Sequence, residues 1–273
     1  MTYARLRSCL FAIGLATCAA PLSAAPVNFN MSDWVAEGGN WTVHDAGNTV
    51  RQTSNSPPTV YHSGQNDLFS RYSGSFRVNT SGDDDFIGFV IGYTAGDIDY
   101  PNDGLQANSD IDYLLIDWKQ ANQTNATLGM AISRVTGDIY EIGDSGEVTV
   151  QADAWKHDGV VEEIKRADTL GNMGWVDYQT YGFTLEYLPS VVRLHIGDIA
   201  ALEVTPGEVG LTSFQAGSFG LYGFSQTGLE VSNVRYESLP QVSAAVSTVP
   251  LPAGLPLVIA GMGALAILRR RRA

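Results

Sequence analysis

Short apolar or alternating runs recur through the middle of the chain, and clusters of Gly, Asn, Asp and Ser separate them. Across residues 181–187, large side chains alternate with smaller or polar ones, which is the pattern of a half-buried strand. Residues 86–93 are apolar on both faces of an extended chain, so we expect a central strand that is covered on both sides. The glycines inside this run indicate close approach of neighbouring backbone. The pattern predicts an all-β sandwich or barrel.

The first 25 residues have the pattern of a secretory signal peptide. A start with two arginines precedes an apolar run at residues 10–16, and small residues precede a cleavage site that we predict between Ala25 and Pro26. Lipid attachment at Cys18 is an alternative use of the same segment. Both interpretations predict export from the cytoplasm.

The other end of the chain has the pattern of a linker followed by a tail. Residues 239–248 are small and flexible, and they separate the predicted domain, residues 26–238, from the tail, residues 249–273. The tail begins with the motif Val249, Pro250, Leu251, Pro252 and Ala253. Counted from Val249, its apolar part is long enough to form a transmembrane segment, and the four arginines near its end predict that this end stays in the cytoplasm.

This combination of a proline motif, an apolar stretch and a basic end resembles the VPLPA-type sorting signals of bacteria. The resemblance implies an exosortase-like membrane protease as a processing partner, with membrane contact through the tail until it is cut. An ordinary tail anchor is the alternative. Both interpretations predict that the domain is extracellular or lies in the cell envelope.

Charge and cysteine content fit an exported domain that attracts cations. Both cysteines lie inside the predicted signal peptide, so we expect a mature domain without disulfides. All 29 acidic residues lie in the domain, and because two of the 16 Lys and Arg residues are in the signal and four in the tail, its net charge is about −19. Such a surface repels nucleic acid and anionic lipid and attracts cations.

Three adjacent carboxylates, those of Asp83, Asp84 and Asp85, stand directly before the predicted central strand. They repel one another unless a positive charge neutralises them, and no Lys or Arg lies between Arg77 and Lys119 in the sequence. Because a strand alternates its side chains, we expect the first and third carboxylates to share a face while Asp84 points away. Calcium is bound by such clusters of oxygen ligands, so we predict calcium as a cofactor here. A solvated acidic turn is the alternative.

A second acidic segment contains Asp97, Asp99 and Asp103, followed by Gly104. It has the density of oxygen donors and the terminal glycine of a calcium loop, but it lacks the regular spacing and the closing Glu of an EF-hand loop. We include these three aspartates as a second candidate calcium site.

Enzyme motifs are weak in this sequence. Asp110 and Asp112 resemble the acidic strand of laminarinase-type glycosidases, but Leu114 and Leu115 stand where the second carboxylate should follow. Retaining glycosidases need two carboxyl groups about 5 Å apart. The four histidines are isolated, and none is in the context of a catalytic triad or has zinc spacing. We therefore predict that the domain is not an enzyme; the alternative function is that of an extracellular carbohydrate-binding protein or glycoside hydrolase.

Several blocks of sequence, in order, resemble the C-terminal domain of thrombospondins: residues 74–80, 83–93, 113–120, 174–181 and 220–237. The resemblance implies a jelly-roll β-sandwich of the concanavalin-like or lectin-like class, with calcium bound near Asp83. It also implies cell adhesion or contact with the extracellular matrix. The added loop at 97–110 and the missing cysteines depart from the family, so the partners of animal thrombospondins are not carried over. We expect matrix proteins or exopolysaccharide as partners.

Overall fold

A computed structural model of the chain describes residues 25–98, 108–142, 148–150 and 152–241. The strands of the first half are β1 (Val27–Asn28), β2 (Val35–Glu37), β3 (Trp41–His44), β4 (Thr49–Gln52), β5 (Thr59–His62), β6 (Ser70–Val78), β7 (Phe86–Tyr93), β8 (Tyr113–Lys119) and β9 (Gly129–Val135). The strands of the second half are β10 (Tyr140–Ile142), β11 (Val148–Val150), β12 (Val161–Arg166), β13 (Tyr181–Leu188), β14 (Val191–Ile196), β15 (Ile199–Val204), β16 (Ser218–Phe224) and β17 (Leu229–Ser238). One α-helix, α1 (Ala152–Lys156), and three 3-10 helices complete the described elements: Met31–Asp33, Asp45–Gly47 and Pro206–Val209.

The strands form two large antiparallel sheets that pack face to face. The first sheet has the order β15-β14-β13-β6-β17-β4-β3, with β1 paired to β17. The second has the order β12-β9-β8-β7-β16-β5-β2. Strands that are far apart in sequence are neighbours in each sheet, such as β6 with β17 and β7 with β16. The predicted all-β jelly-roll sandwich is confirmed.

The main core lies between the two sheets and is supplied by alternate residues of their strands. On β13 the inward residues are Phe183, Leu185 and Tyr187, which confirms the predicted alternation. The inward residues of β8 face them from the second sheet, and Ile116 is among them. Burial of this apolar area drives the two sheets together, at about 25 cal/mol per Å² removed from water.

The outer face of the second sheet is also covered, and this second layer positions the polar groups described below. A separate apolar cluster joins that face to the loop after β7, to the segment around Tyr140 and to α1. As predicted, β7 is therefore buried on both faces. The predicted close approach of neighbouring backbone is confirmed at Gly88 on β7, because a Cβ atom there would lie only 2.0 Å from the carbonyl oxygen of Ile116.

Both ends of the chain extend beyond the described residues. Ala25 and Pro26, on either side of the predicted signal cleavage site, are exposed and precede β1. The processing motif at 249–253 and the apolar tail lie outside the described residues, as do residues 1–24. Within the part of the chain that the structure describes, no helix is long and apolar enough to cross a membrane.

Candidate metal centre

The turn between β6 and β7 ends in three aspartates whose carboxylates come together. One carboxylate oxygen from each of Asp83, Asp84 and Asp85 lies within 4.8 Å of those of the other two. Asp85 is buried, and the other two are half-buried. The carboxyl groups of Asp83 and Asp85 lie against each other. The prediction that strand alternation turns Asp84 away from them is wrong, because residues 83–85 precede β7 and do not form a strand. Burial, and then the neighbouring Asp85 carboxylate, raise the pKa of Asp83 to about 6.

Two side-chain amides flank these carboxylates. The Nδ2 atom of Asn55, from the loop between β4 and β5, donates a hydrogen bond to Oδ2 of Asp83. The Nε2 atom of Gln123, from the loop after β8, donates to Oδ1 of Asp84. Each amide also carries an oxygen, so rotation of the amide would offer a neutral oxygen ligand in place of the donor. The two loops thus enlarge the set of oxygen ligands beyond the three aspartates.

One ammonium group already lies in this cluster. The side chain of Lys119, at the end of β8, is 0% exposed, and its Nζ atom is 2.6 Å from Oδ1 of Asp85. The expectation that no basic residue offsets the carboxylates is therefore wrong for Asp85. The reason is the pairing of β7 with β8, which places Lys119 opposite Phe86 and so beside the acidic turn.

The remaining carboxylates fit a hard divalent cation. Among the described residues, no Lys, Arg or His side chain forms an ion pair with Asp83 or Asp84. Neighbouring carboxylates and side-chain amides surround them, and both kinds of group carry oxygen atoms that can bind a metal. Calcium takes all its ligands from oxygen. Asp83 and Asp84 would therefore hold a calcium ion, with Asn55 as a further ligand. The ion would supply the positive charge that these two carboxylates lack.

The second candidate site is arranged differently. Asp97 is 1% exposed, and both of its carboxylate oxygens accept hydrogen bonds from the chain itself. Oδ2 accepts from the backbone N–H of Thr94 at 2.8 Å, and Oδ1 accepts from Nδ2 of Asn108 at 2.7 Å. Asp99 and Asp103 lie outside the described residues. The structure therefore shows Asp97 as an anchor of the loop after β7.

A buried carboxylate that sequence reasoning missed supports the same loop. Glu37 on β2 is 0% exposed and accepts hydrogen bonds from Tyr93 Oη at 2.5 Å and from the Gly96 N–H at 3.0 Å. The Nε2 atom of His62 lies 3.0 Å from the same carboxylate. The partners are distant in sequence and meet only through strand pairing, so no local pattern identifies this group.

A second missed group lies on the outer face of β8. Oδ2 of Asp117 is 2.9 Å from Nε2 of His157, and both side chains are buried. Burial lowers the pKa of His157, but the adjacent Asp117 carboxylate outweighs this and the net shift is upward. His157 is thus not isolated, although its other nitrogen faces Glu163 at 3.9 Å and not a nucleophile.

The residues that resembled a glycosidase strand do not form a carboxylate pair on β8. Both oxygens of Asp112 accept hydrogen bonds from Arg134, each at 2.8 Å. Leu114 packs in the main core, and Leu115 packs in the cluster on the outer face, as apolar side chains on opposite sides of the strand.

Comparison with known proteins assigns the domain to a family. The profile described as "Thrombospondin C-terminal region" matches residues 36–239. The chain belongs to the thrombospondin C-terminal region family. Thrombospondin-2 of Gallus gallus is 27% identical over 205 residues, which cover 72% of this chain and 16% of that protein. The human cartilage oligomeric matrix protein is 29% identical over 206 residues, which cover 72% of this chain and 25% of that protein.

The family assignment thus concerns one region, because the matched part spans between about a sixth and a quarter of these relatives' length. Solved structures with a similar fold include the VIP36 exoplasmic/lumenal domain in its Ca²⁺/Man2-bound form, with a TM-score of 0.47 and 10% identity over 80% of this chain and 86% of that one. Another is the carbohydrate-binding module CBM66 from Bacillus subtilis, with a TM-score of 0.45 and 14% identity over 77% of this chain and 98% of that one.

Proposed function

We propose that this thrombospondin C-terminal region is an extracellular interaction module whose acidic turn binds calcium, and that it is not an enzyme. The observation that carries the proposal is the cluster of Asp83, Asp84 and Asp85, of which only the last has a basic partner within the described residues. The calcium ion would neutralise the other two and fix the turn that enters β7.

Calcium should stabilise the folded domain. Extracellular calcium modules commonly bind with dissociation constants of about 10⁻⁴ to 10⁻³ M. At ten times the dissociation constant, one site adds about 1.4 kcal/mol to the free energy of unfolding. The melting temperature of the purified protein is therefore expected to be several degrees higher in calcium than in chelator.

Two variants make this test specific. Asp83→Ala should abolish the calcium response, whereas Asp198→Ala, which removes an exposed carboxylate between β14 and β15, should leave it intact. Identical melting curves of the wild-type protein in calcium and in chelator would show that the acidic turn is solvated and not a metal site.

The proposed lack of enzymatic activity rests on the pairing of Asp112 with Arg134 and on the apolar roles of Leu114 and Leu115. The wild-type protein should release no reducing sugar from β-glucans. Hydrolysis that is present in the wild type and lost in Asp112→Asn would contradict this part of the proposal.

Glycan binding is a second candidate function, favoured by one feature of the first sheet. An open groove of about 480 Å³ lies on that sheet, and hydroxyl, amide and charged groups line it: Ser73, Ser75, Thr184, Asp198, Asn233 and Arg235. Such groups suit the hydroxyls of an exopolysaccharide. A glycan array should show binding that is weakened by Arg235→Ala, and an array without signal would reject this function.

We also propose that the tail is removed after export by an exosortase-like protease. The support is the order of the motif at 249–253, an apolar stretch and four arginines. Mass spectrometry of the cell-associated protein should find a C-terminus near Ala253. Recovery of an intact tail on the mature protein would reject processing and favour a simple tail anchor.

A further inference from the structure

We propose that Lys119 is a built-in counter-ion of the acidic turn, and that its charge limits how tightly the turn binds calcium. This inference rests on the proposed calcium function. The Nζ atom of Lys119 lies 2.6 Å from Oδ1 of Asp85. It therefore supplies, from within the chain, part of the positive charge that a bound cation would otherwise bring.

The ammonium group is held in one place by its surroundings. Its three N–H groups have three acceptors: Oδ1 of Asp85, the carbonyl oxygen of Asp84 at 3.3 Å and Oε1 of Gln123 at 3.0 Å. Because an ammonium group has three donors, this set satisfies it completely. It therefore needs no water.

Aromatic rings enclose the same ammonium group. Nζ lies 4.8 Å from the ring centre of Phe86 and 4.7 Å from that of Trp155, which belongs to α1. Rings at these distances attract a cation through their electron-rich faces. The side chain is therefore fixed beside the carboxylates, and it cannot turn away into solvent when a second cation arrives.

This fixed charge has two consequences for calcium. Lys119 repels the ion, and it occupies one oxygen of Asp85 and the amide oxygen of Gln123, both of which would otherwise be available to the metal. Gln123 also donates to Asp84, so one side chain links the ammonium group to a carboxylate without a basic partner. Removal of the ammonium should therefore strengthen calcium binding, and calcium should replace it as the neutralising charge.

The test compares Lys119→Met and Lys119→Gln with the wild-type protein by calorimetric calcium titration and by thermal unfolding. Both variants remove the charge, and the second keeps a hydrogen-bond donor. We expect each to melt at a lower temperature than the wild type in chelator, and to bind calcium at least about tenfold more tightly. The difference from the wild-type melting temperature should shrink in calcium.

Two controls separate charge from packing. Lys165→Met removes an ammonium group that pairs with Glu208 on the surface, and it should leave calcium affinity unchanged. Adding Asp85→Asn to Lys119→Met removes both partners, and the gain in calcium affinity should then disappear.

Each result decides the proposal. Calcium affinities of Lys119→Met and Lys119→Gln equal to that of the wild type would overturn it, and so would failure of both variants to fold at any calcium concentration. Folding that requires calcium would support it. If the wild type shows no calcium response, the proposed function fails by itself, and a response gained on removal of Lys119 would still support the role of its charge.

Discussion

The two acidic segments on either side of β7 look alike in sequence but differ in the structure. In the turn before β7, the carboxylates of Asp83, Asp84 and Asp85 face one another, and one of them is paired with an ammonium group. In the loop after β7, Asp97 is buried and receives a hydrogen bond on each carboxylate oxygen. The density of aspartates is therefore a poor guide to a metal site.

The donors that face a carboxylate distinguish the two cases. A buried carboxylate whose oxygens are matched by N–H groups of the chain is satisfied and acts as a structural anchor. Asp83 and Asp84 each accept a hydrogen bond from a side-chain amide on one carboxylate oxygen, but they also face neighbouring carboxylates. Burial, and then the Asp85 carboxylate, raise the pKa of Asp83. A bound cation would stabilise the facing carboxylates of the turn before β7, and it would add little to the carboxylate of Asp97, which already accepts hydrogen bonds. The comparison predicts that the two segments respond oppositely to mutation and calcium.

The largest expected effect is at the anchor of the second segment. Glu37→Ala should lower the free energy of unfolding by about 3–5 kcal/mol, because it leaves buried partners of the carboxylate unsatisfied. These partners are the Tyr93 hydroxyl, the Gly96 N–H and His62. Urea unfolding would measure the loss, which should be equal in calcium and in chelator.

Glu37→Gln is the matched control for this prediction. It keeps one acceptor oxygen at the same position and should therefore cost less than the alanine variant. If calcium restored the free energy of unfolding that these variants lose, the second segment would also hold a cation. The distinction between the two segments would then disappear.

A direct comparison of one aspartate variant from each segment is expected to give a smaller effect. Asp97→Ala should lower the free energy of unfolding by about 1–3 kcal/mol in calcium and in chelator alike, because the Thr94 N–H and the Asn108 amide lose an acceptor. Asp83→Ala should change stability in chelator by less than about 0.5 kcal/mol. Parallel urea titrations of both variants, with and without calcium, measure these four values. Loss of the calcium response in Asp97→Ala would contradict the proposal that only the turn before β7 binds calcium.

Much of the fold could be predicted because burial patterns are local in sequence. The alternation on β13 and the two buried faces of β7 follow from the order of apolar residues alone. The glycines of β7 also predicted that another backbone segment lies close to this strand, but the sequence does not show that the segment is the one at Ile116.

The candidate site could be predicted only in part. Three consecutive aspartates are visible in the sequence, but strand alternation predicts that Asp84 points away, whereas the structure brings all three carboxylates together. Lys119 is 34 residues from Asp85, and Asn55 is 28 residues from Asp83, so both contacts depend on pairing across the sheet and on loop position. The distance in sequence predicted that the aspartates lack a basic partner. The register between β7 and β8 nevertheless places Lys119 beside Asp85.

Acidity should reduce the calcium response of the first segment. The pKa of Asp83 is raised to about 6, so its carboxyl group becomes protonated between pH 7 and pH 5, and calcium binds only the carboxylate. At pH 5 the apparent dissociation constant should be about tenfold higher than at pH 7, because one bound proton must be displaced. Melting curves at fixed calcium concentration and several pH values would show this. An equal calcium shift at both pH values would mean that Asp83 is not a ligand.

The pH dependence of the second segment in chelator also distinguishes it from the first. Burial, and further the Glu37 charge, raise the pKa of Asp97 from 3.8 to about 6, against the opposing effect of its hydrogen bonds with Thr94 and Asn108. Because the folded state then holds the proton more tightly than the unfolded state, this group stabilises the fold fully below pH 3.8. That contribution is lost as the pH rises through about 6.

Asp97→Asn lacks this titration and keeps one acceptor oxygen. The free energy of unfolding of the variant, relative to the wild type, should therefore increase as the pH rises from 4 to 7. Urea unfolding in chelator at several pH values measures the difference, and the same series with Asp198→Asn, an exposed carboxylate, should be flat. A difference that is constant with pH would show that the Asp97 carboxyl group has the same pKa in both states. Its hydrogen bonds would then fully offset its burial.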